Sequence, residues 1–202
     1  DYALVDFGGN ASSIVTDPTN PNNLVGKVIK TASAETWAGT TNGGNGLANA
    51  IPFAIDNTTM TVRVWSPDAN TPIRLKVEDA SNPTISVETE TNTTMAGQWE
   101  TMNFDFSNQA PGTAALNLAN SYDKVSIFFN FGTTGGAAGE KTYYWDDVEF
   151  AGGGSTLEQV IQTGGDALHI GDARHLGESS QEVETQLENQ VGKFIEQGKL
   201  SL

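Results

Sequence analysis

The sequence has no cysteine. That excludes a disulfide framework and thiol chemistry, and it leaves the compartment open, because exported β-domains often do without the residue. Histidine is scarce as well: the chain has two, His169 and His175, both in its last quarter. Basic residues number 10 against 25 acidic ones, for a net charge of −15. A phosphate backbone or an anionic membrane surface would be repelled, and no basic stripe offsets this, so nucleic acid and membrane partners are disfavoured. No apolar run approaches the ~20 residues of a spanning helix. The chain starts at Asp1 with neither an initiator Met nor a leader, which reads as a mature or trimmed product. Neutral ligands and cations are the partners such a chain favours.

What is present divides at a Gly-Gly-Gly-Ser run, Gly152–Ser155. Residues 1–150 hold 16 of the 17 aromatics, and residues 151–202 hold only Phe194. The first part carries 17 acidic and 7 basic residues, the second 8 and 3. We expect one domain over residues 1–150, a glycine linker over 151–154 and an appendage over 155–202.

The first part closes on Lys141–Phe150 (KTYYWDDVEF), a strand-like alternation holding a pair of carboxylates. Before it come short runs rich in Val, Ile, Thr and aromatics: Tyr2–Phe7, Ser12–Thr16, Val25–Thr31, Thr36–Thr40, Ile51–Ile55, Met60–Ser66, Pro72–Asp79, Thr84–Glu90, Trp99–Phe106 and Asp123–Phe131. Loops rich in Gly, Pro, Asn and Asp separate them, Asp17–Asn23 being a Pro/Asn loop. Gly112–Ala119 is the one place for a helical turn. The pattern predicts an all-β fold, a two-sheet antiparallel sandwich of the jelly-roll kind. In the appendage, Ser155–Glu158 and Ser179–Glu182 are capping-box patterns, and Val183, Leu187, Val191, Phe194 and Ile195 form a stripe at helical spacing. Two short amphipathic helices are expected there; too small to bury much surface alone, they would dock on another domain or subunit.

Period-two alternation sorts the faces. Val62 and Val64 oppose Arg63 and Trp65. Ile73, Leu75 and Val77 oppose Arg74, Lys76 and Glu78, while Val87 opposes Glu88. Val125, Ile127, Phe129 and Phe131 oppose Ser126, Phe128 and Asn130. The second members of these sets, with Trp37, interleave large aromatics with charges on a face that the core does not require. Sugar rings carry an apolar C–H face and an equator of hydroxyls, which suit stacked rings and hydrogen-bonding side chains respectively. The candidate ligand face is therefore Trp37, Arg63, Trp65, Arg74, Lys76, Glu78, Glu88, Phe128 and Asn130. Trp99 and Trp145 are expected in the core or at its rim.

Asp6 and Asp146, with Asp147 as a third, are candidates for a structural calcium, since hard cations require carboxylates converging from separate segments. First and last strands pair in many sandwiches, which would bring Asp6 near Asp146. Asp146 shares parity with Val148 and Phe150, and so would sit on the core side and need a partner. Catalysis finds little support. Glycoside hydrolysis needs two carboxylates held across one bond, and the compact E-x-D-x-x-E strand motif is missing. His169 and His175, with Asp166 and Asp172, read as an exposed pair in a link. Asn10, Asn57 and Asn92 open N-x-S/T triplets, which mark exposed turns.

The opening VDFGGNAS, the segments TDPTNPNN, VGKVIKT and AETWAGT, the pair RVWSPD and RLKVED, and the close YYWDDVEF resemble carbohydrate-binding modules. More narrowly, they look like the family 4, 9 and 22 jelly rolls attached to marine bacterial glycoside hydrolases such as laminarinases. The likeness covers residues 1–150. It implies a calcium near the joined termini and a β-glucan such as laminarin on a concave sheet. That family often has a Glu cation ligand after the first-strand Phe, where this chain has Gly8. The expectation is a secreted, non-catalytic module that binds a neutral polysaccharide and targets an attached enzyme to it. The alternative is a structural or adhesive cell-surface or filament subunit assembled through its C-terminal helices.

Overall fold

A computed structural model describes residues 3–150. Ten strands form: β1 (Leu4–Phe7), β2 (Asn10–Asp17), β3 (Asn20–Lys30), β4 (Gly39–Asn42), β5 (Thr59–Ser66), β6 (Pro72–Asp79), β7 (Asn82–Asn92), β8 (Gln98–Asp105), β9 (Lys124–Phe129) and β10 (Lys141–Phe150). One helical turn, α1 (Gly135–Ala138), is capped by the Thr134 side chain. The first sheet runs β1-β4-β9-β6-β7 and the second β2-β3-β10-β5-β8, with every pairing antiparallel. This is the expected two-sheet sandwich.

The inner faces follow the alternation. Val62, Val64, Ile73, Leu75, Val77, Val125, Ile127 and Phe129 are all buried, together with Met102, Phe104 and Tyr143. Phe129 and Tyr143 stack from opposite sheets with centroids 4.8 Å apart. Fully burying a side chain of this size contributes roughly 1.5–3 kcal/mol, so the two rows of aliphatics supply most of the cohesion.

Several expectations are corrected. Asp17–Asn23 is not a loop throughout: β2 runs to Asp17 and β3 starts at Asn20, Asp17 pairs with Asn20, and the Asp17 carboxylate accepts from the Thr19 amide at 2.8 Å, which tightens the reversal around Pro18. Ile51–Ile55 forms no strand, only the bridge between Ala54 and Asn57; Pro52 has no amide to give a ladder. Trp37 sits in the turn before β4, and residues 112–119 form no helix. The first and last strands do not pair, because β1 borders β4 at one edge of the first sheet while β10 lies in the middle of the second. The alternation of β10 also breaks. Asp147 has φ 46, and the β10–β5 register shifts between Asp146 and Glu149, the mark of a β-bulge. Asp146 therefore faces outward opposite Arg63, not inward with Val148 and Phe150. The helical appendage expected over residues 155–202 lies outside the described residues.

Lys30 is the exception among the inward residues. It is 1% exposed, and its ammonium donates to the carbonyls of Phe129 and Asn130 at 3.0 and 2.9 Å. Burial pulls its pKa down to about 8. Between that value and 10.5 the unfolded chain holds a proton that the folded chain has lost, so folding gains stability as pH rises through this window. Denaturant titrations at pH 7.5 and pH 10.5 should show the wild type gaining about 3 kcal/mol relative to Lys30→Met. A constant difference between the two chains would contradict this.

Candidate binding groove

The outer face of the first sheet carries a groove of about 480 Å³, and strand register lays its side chains out in transverse rows. In the middle row Val5 faces Thr41, Thr41 faces Ser126, Ser126 faces Lys76 and Lys76 faces Glu88. On one side, Arg74 lies between Phe128 and Glu90; on the other, Glu78 lies between Lys124 and Ser86. Small residues occupy the centre, where the Thr41 and Ser126 hydroxyls are 2.8 Å apart.

One end is aromatic. Trp37, 50% exposed, stacks on Phe7 at 6.2 Å and 14°. Phe7 meets Phe128 edge to face at 5.5 Å, and Phe128 meets Phe131 likewise at 5.7 Å. The Arg74 guanidinium lies 3.6 Å over the Phe131 ring, a cation–π contact. Gly39 makes this cluster possible, because a Cβ there would lie 2.5 Å from the Phe7 ring and 2.8 Å from that of Phe128.

The polar floor is electrically balanced. Arg74 contacts Glu88 and Glu90, each at 3.0 Å. Glu78 accepts from Lys76 at 2.5 Å and from Lys124 at 2.7 Å. Burial pushes the Glu78 carboxyl up, but the two lysines outweigh it and hold the group below its ordinary value. Three cations face three carboxylates, so the groove offers donors and acceptors without a net field.

Six of the nine expected ligand residues converge here: Trp37, Arg74, Lys76, Glu78, Glu88 and Phe128. Arg63 and Trp65 do not, because β5 belongs to the second sheet and its outward face points the opposite way. Arg63 pairs with Asp17 at 3.3 Å. Burial pushes Asp17 up, yet its bonds from Thr19, Trp99 and Arg63 hold its pKa at about 2. Asn130 ends β9 in a left-handed conformation (φ 50) and gives its carbonyl to Lys30. That turn rotates Phe131 out of its expected core position and onto the groove. Trp145 is in the core, 5% exposed, whereas Trp99 is half-buried on the outside of the second sheet. Lys124 was legible from its period-two spacing with Ser126 and Phe128; Phe7 was not, since its strand of four residues gives alternation little to work on.

The three expected calcium ligands do not converge. Asp6 accepts from the Ser12 amide and hydroxyl, both at 2.6 Å, and from the Thr40 hydroxyl at 2.8 Å. Asp146, in the other sheet, accepts from the Asn23 side-chain Nδ2 at 2.7 Å. Asp147 is exposed at the bulge, its carboxyl raised by partial burial and by repulsion from Asp146 and Glu149. A side chain at Gly8 would strike the Ala38 backbone at 2.8 Å, so this turn leaves no room for a Glu. Among the described residues no group of three acidic or histidine side chains is placed to hold a metal ion, and these residues do not fit the calcium site expected of them.

No protein-family model and no curated protein matches the sequence. Solved structures do match. A family 11 carbohydrate-binding module from Clostridium thermocellum, in complex with a β-1,3-1,4-mixed-linked tetrasaccharide, is 15% identical over 74% of this chain and 87% of its own, with a TM-score of 0.48. A family 30 carbohydrate-binding module is 10% identical over 83% of this chain and 82% of its own, with a TM-score of 0.47. An exo-β-agarase is 12% identical over 72% of this chain and 22% of its own, with a TM-score of 0.50. At these identities the likeness is one of fold alone, the two-sheet β-sandwich already described.

Gly39→Ala tests how the aromatic end is assembled. The added methyl must displace Phe7 or Phe128, which should cost about 1–3 kcal/mol by denaturant unfolding and change the near-UV circular dichroism. An unchanged spectrum and stability would show that the rings do not depend on this glycine.

Proposed function

We propose that the groove of the first sheet binds a neutral polysaccharide of the β-glucan type, and that the chain is a non-catalytic module holding an attached enzyme on its substrate outside the cell. The observation that carries this reading is the pairing of an aromatic end, headed by the exposed Trp37, with a charge-balanced polar floor. Ring faces at Trp37 and Phe7 suit the C–H faces of sugars, and the paired side chains of the floor suit their hydroxyls. The volume is within the range of small-ligand sites. A polyanion would meet no uncompensated cation in the groove, and a net charge of −15 on the chain.

The carboxylates speak against turnover. Glycoside hydrolysis needs one carboxyl that carries a proton and a second across the scissile bond. Glu78 is held ionised by two lysines, and Glu88 and Glu90 are both tied to Arg74. No helix among the described residues is long and apolar enough to cross a membrane.

Affinity electrophoresis against laminarin, mixed-linkage β-glucan, xylan and agarose tests the proposal. At least one should retard the chain, and Trp37→Ala should weaken that retention about ten-fold or more. Glu78→Gln leaves the two lysines unbalanced and should add retention by an anionic polysaccharide. The reading fails if no neutral polysaccharide slows the wild type, or if reducing sugar is released.

A further inference from the structure

The second sheet carries a row of aromatics on the side away from the core. Tyr144 on β10 faces Trp65 on β5, and Trp65 faces Trp99 on β8. Tyr144 lies 5.4 Å from Trp65 and 6.4 Å from Trp99, at 79° and 56°. All three rings are half-buried, and the alternate residues Val64 and Trp145 fill the core beneath them. Single aromatics scattered over a surface need no explanation, but three in one register row across adjacent strands do.

Around the rings stand polar groups of the kind found in the groove. The Arg63 guanidinium lies 4.0 Å over the Trp99 ring and is balanced by Asp17 at 3.3 Å and Asp146 at 3.7 Å. The row continues through Lys27, opposite Tyr144, and Thr101 lies opposite Arg63. Trp99 is fixed in place, since its indole donates to Asp17 at 3.2 Å and to Thr19 at 3.1 Å. A surface held this way loses little freedom when it binds.

We propose that this strip is a second glycan-binding surface, so that one sandwich holds two stretches of neutral polysaccharide on opposite faces. The ligand class rests on the reading of the groove and on charge. Arg63 is already paired, which leaves rings and hydrogen-bonding groups rather than an attraction for a polyanion. The rings are tilted rather than coplanar, which suits a twisted soluble chain over a flat crystal surface. Faces that point in opposite directions cannot grip one straight segment, so the two surfaces bridge separate chains or a folded-back one and gain avidity.

The test uses the wild-type fold. The 15N-labelled chain is titrated with the mixed-linkage β-1,3-1,4 tetrasaccharide and, separately, with laminarihexaose, while the indole N–H resonances of Trp37, Trp65 and Trp99 are followed, each identified by its Trp→Phe variant. Trp65 and Trp99 should shift in a phase distinct from that of Trp37. Trp65→Ala should weaken this second phase about ten-fold, and Trp65→Phe should hold it within about two-fold. Movement of Trp37 alone overturns the second surface and leaves the groove standing. Movement of Trp65 without Trp37 supports the second surface and counts against the groove. Stillness of Trp65 and Trp99 with both sugars overturns the proposal. So do shifts at Trp65 that follow protein concentration without sugar, with a dimer in sedimentation, because the strip would then bind a second copy.

Discussion

In a sandwich of two pleated sheets a strand can give only every second side chain to the core. In β5, β6 and β9 those positions hold Val, Ile, Leu, Met and Phe, with Ser66 at the end of β5, and the residues between them are turned outward whatever their chemistry. The polar floor of the groove follows from that constraint. Arg74, Lys76 and Glu78 stand in line because Ile73, Leu75 and Val77 are buried. The adjacent strands repeat the arrangement, so charges and rings meet across strands at ladder spacing.

Electrostatics then shape the face. Glu78 is 6% exposed, and an unpaired carboxylate so deeply placed would be costly. Two lysines flank it, one on its own strand and one on β9, and Arg74 bridges two carboxylates on β7. These pairs hold one another in place, which leaves the groove polar, ordered and without net charge. Asp17 fills the same role in the second sheet, where Arg63, Thr19 and Trp99 together keep it ionised.

Departures from strict alternation place the remaining groups. A left-handed Asn130 brings Phe131 round to join Phe128. A bulge at Asp147 turns Asp146 outward to Arg63. Gly39 leaves the space in which Phe7 and Phe128 close together. Each departure involves a single residue, and together they account for much of the difference between the expected and the observed faces.

Alternation and turn chemistry alone were enough to read the all-β class, the bounds of β6 and β10 and the buried rows of β5, β6 and β9, because these depend on neighbours within a strand. Which sheet each strand joins is a long-range matter. Arg63-Val64-Trp65 and Arg74-Leu75-Lys76 look alike along the chain, yet they lie on opposite sides of the molecule. For the same reason Asp6 and Asp146 shared a site in the sequence and are found in different sheets. Local pattern determined which residues turn outward wherever a strand runs without a break, as in β5 and β6; the breaks at Asn130 and Asp147 and the pairing order, both set by the tertiary structure, decided the rest and which of them meet.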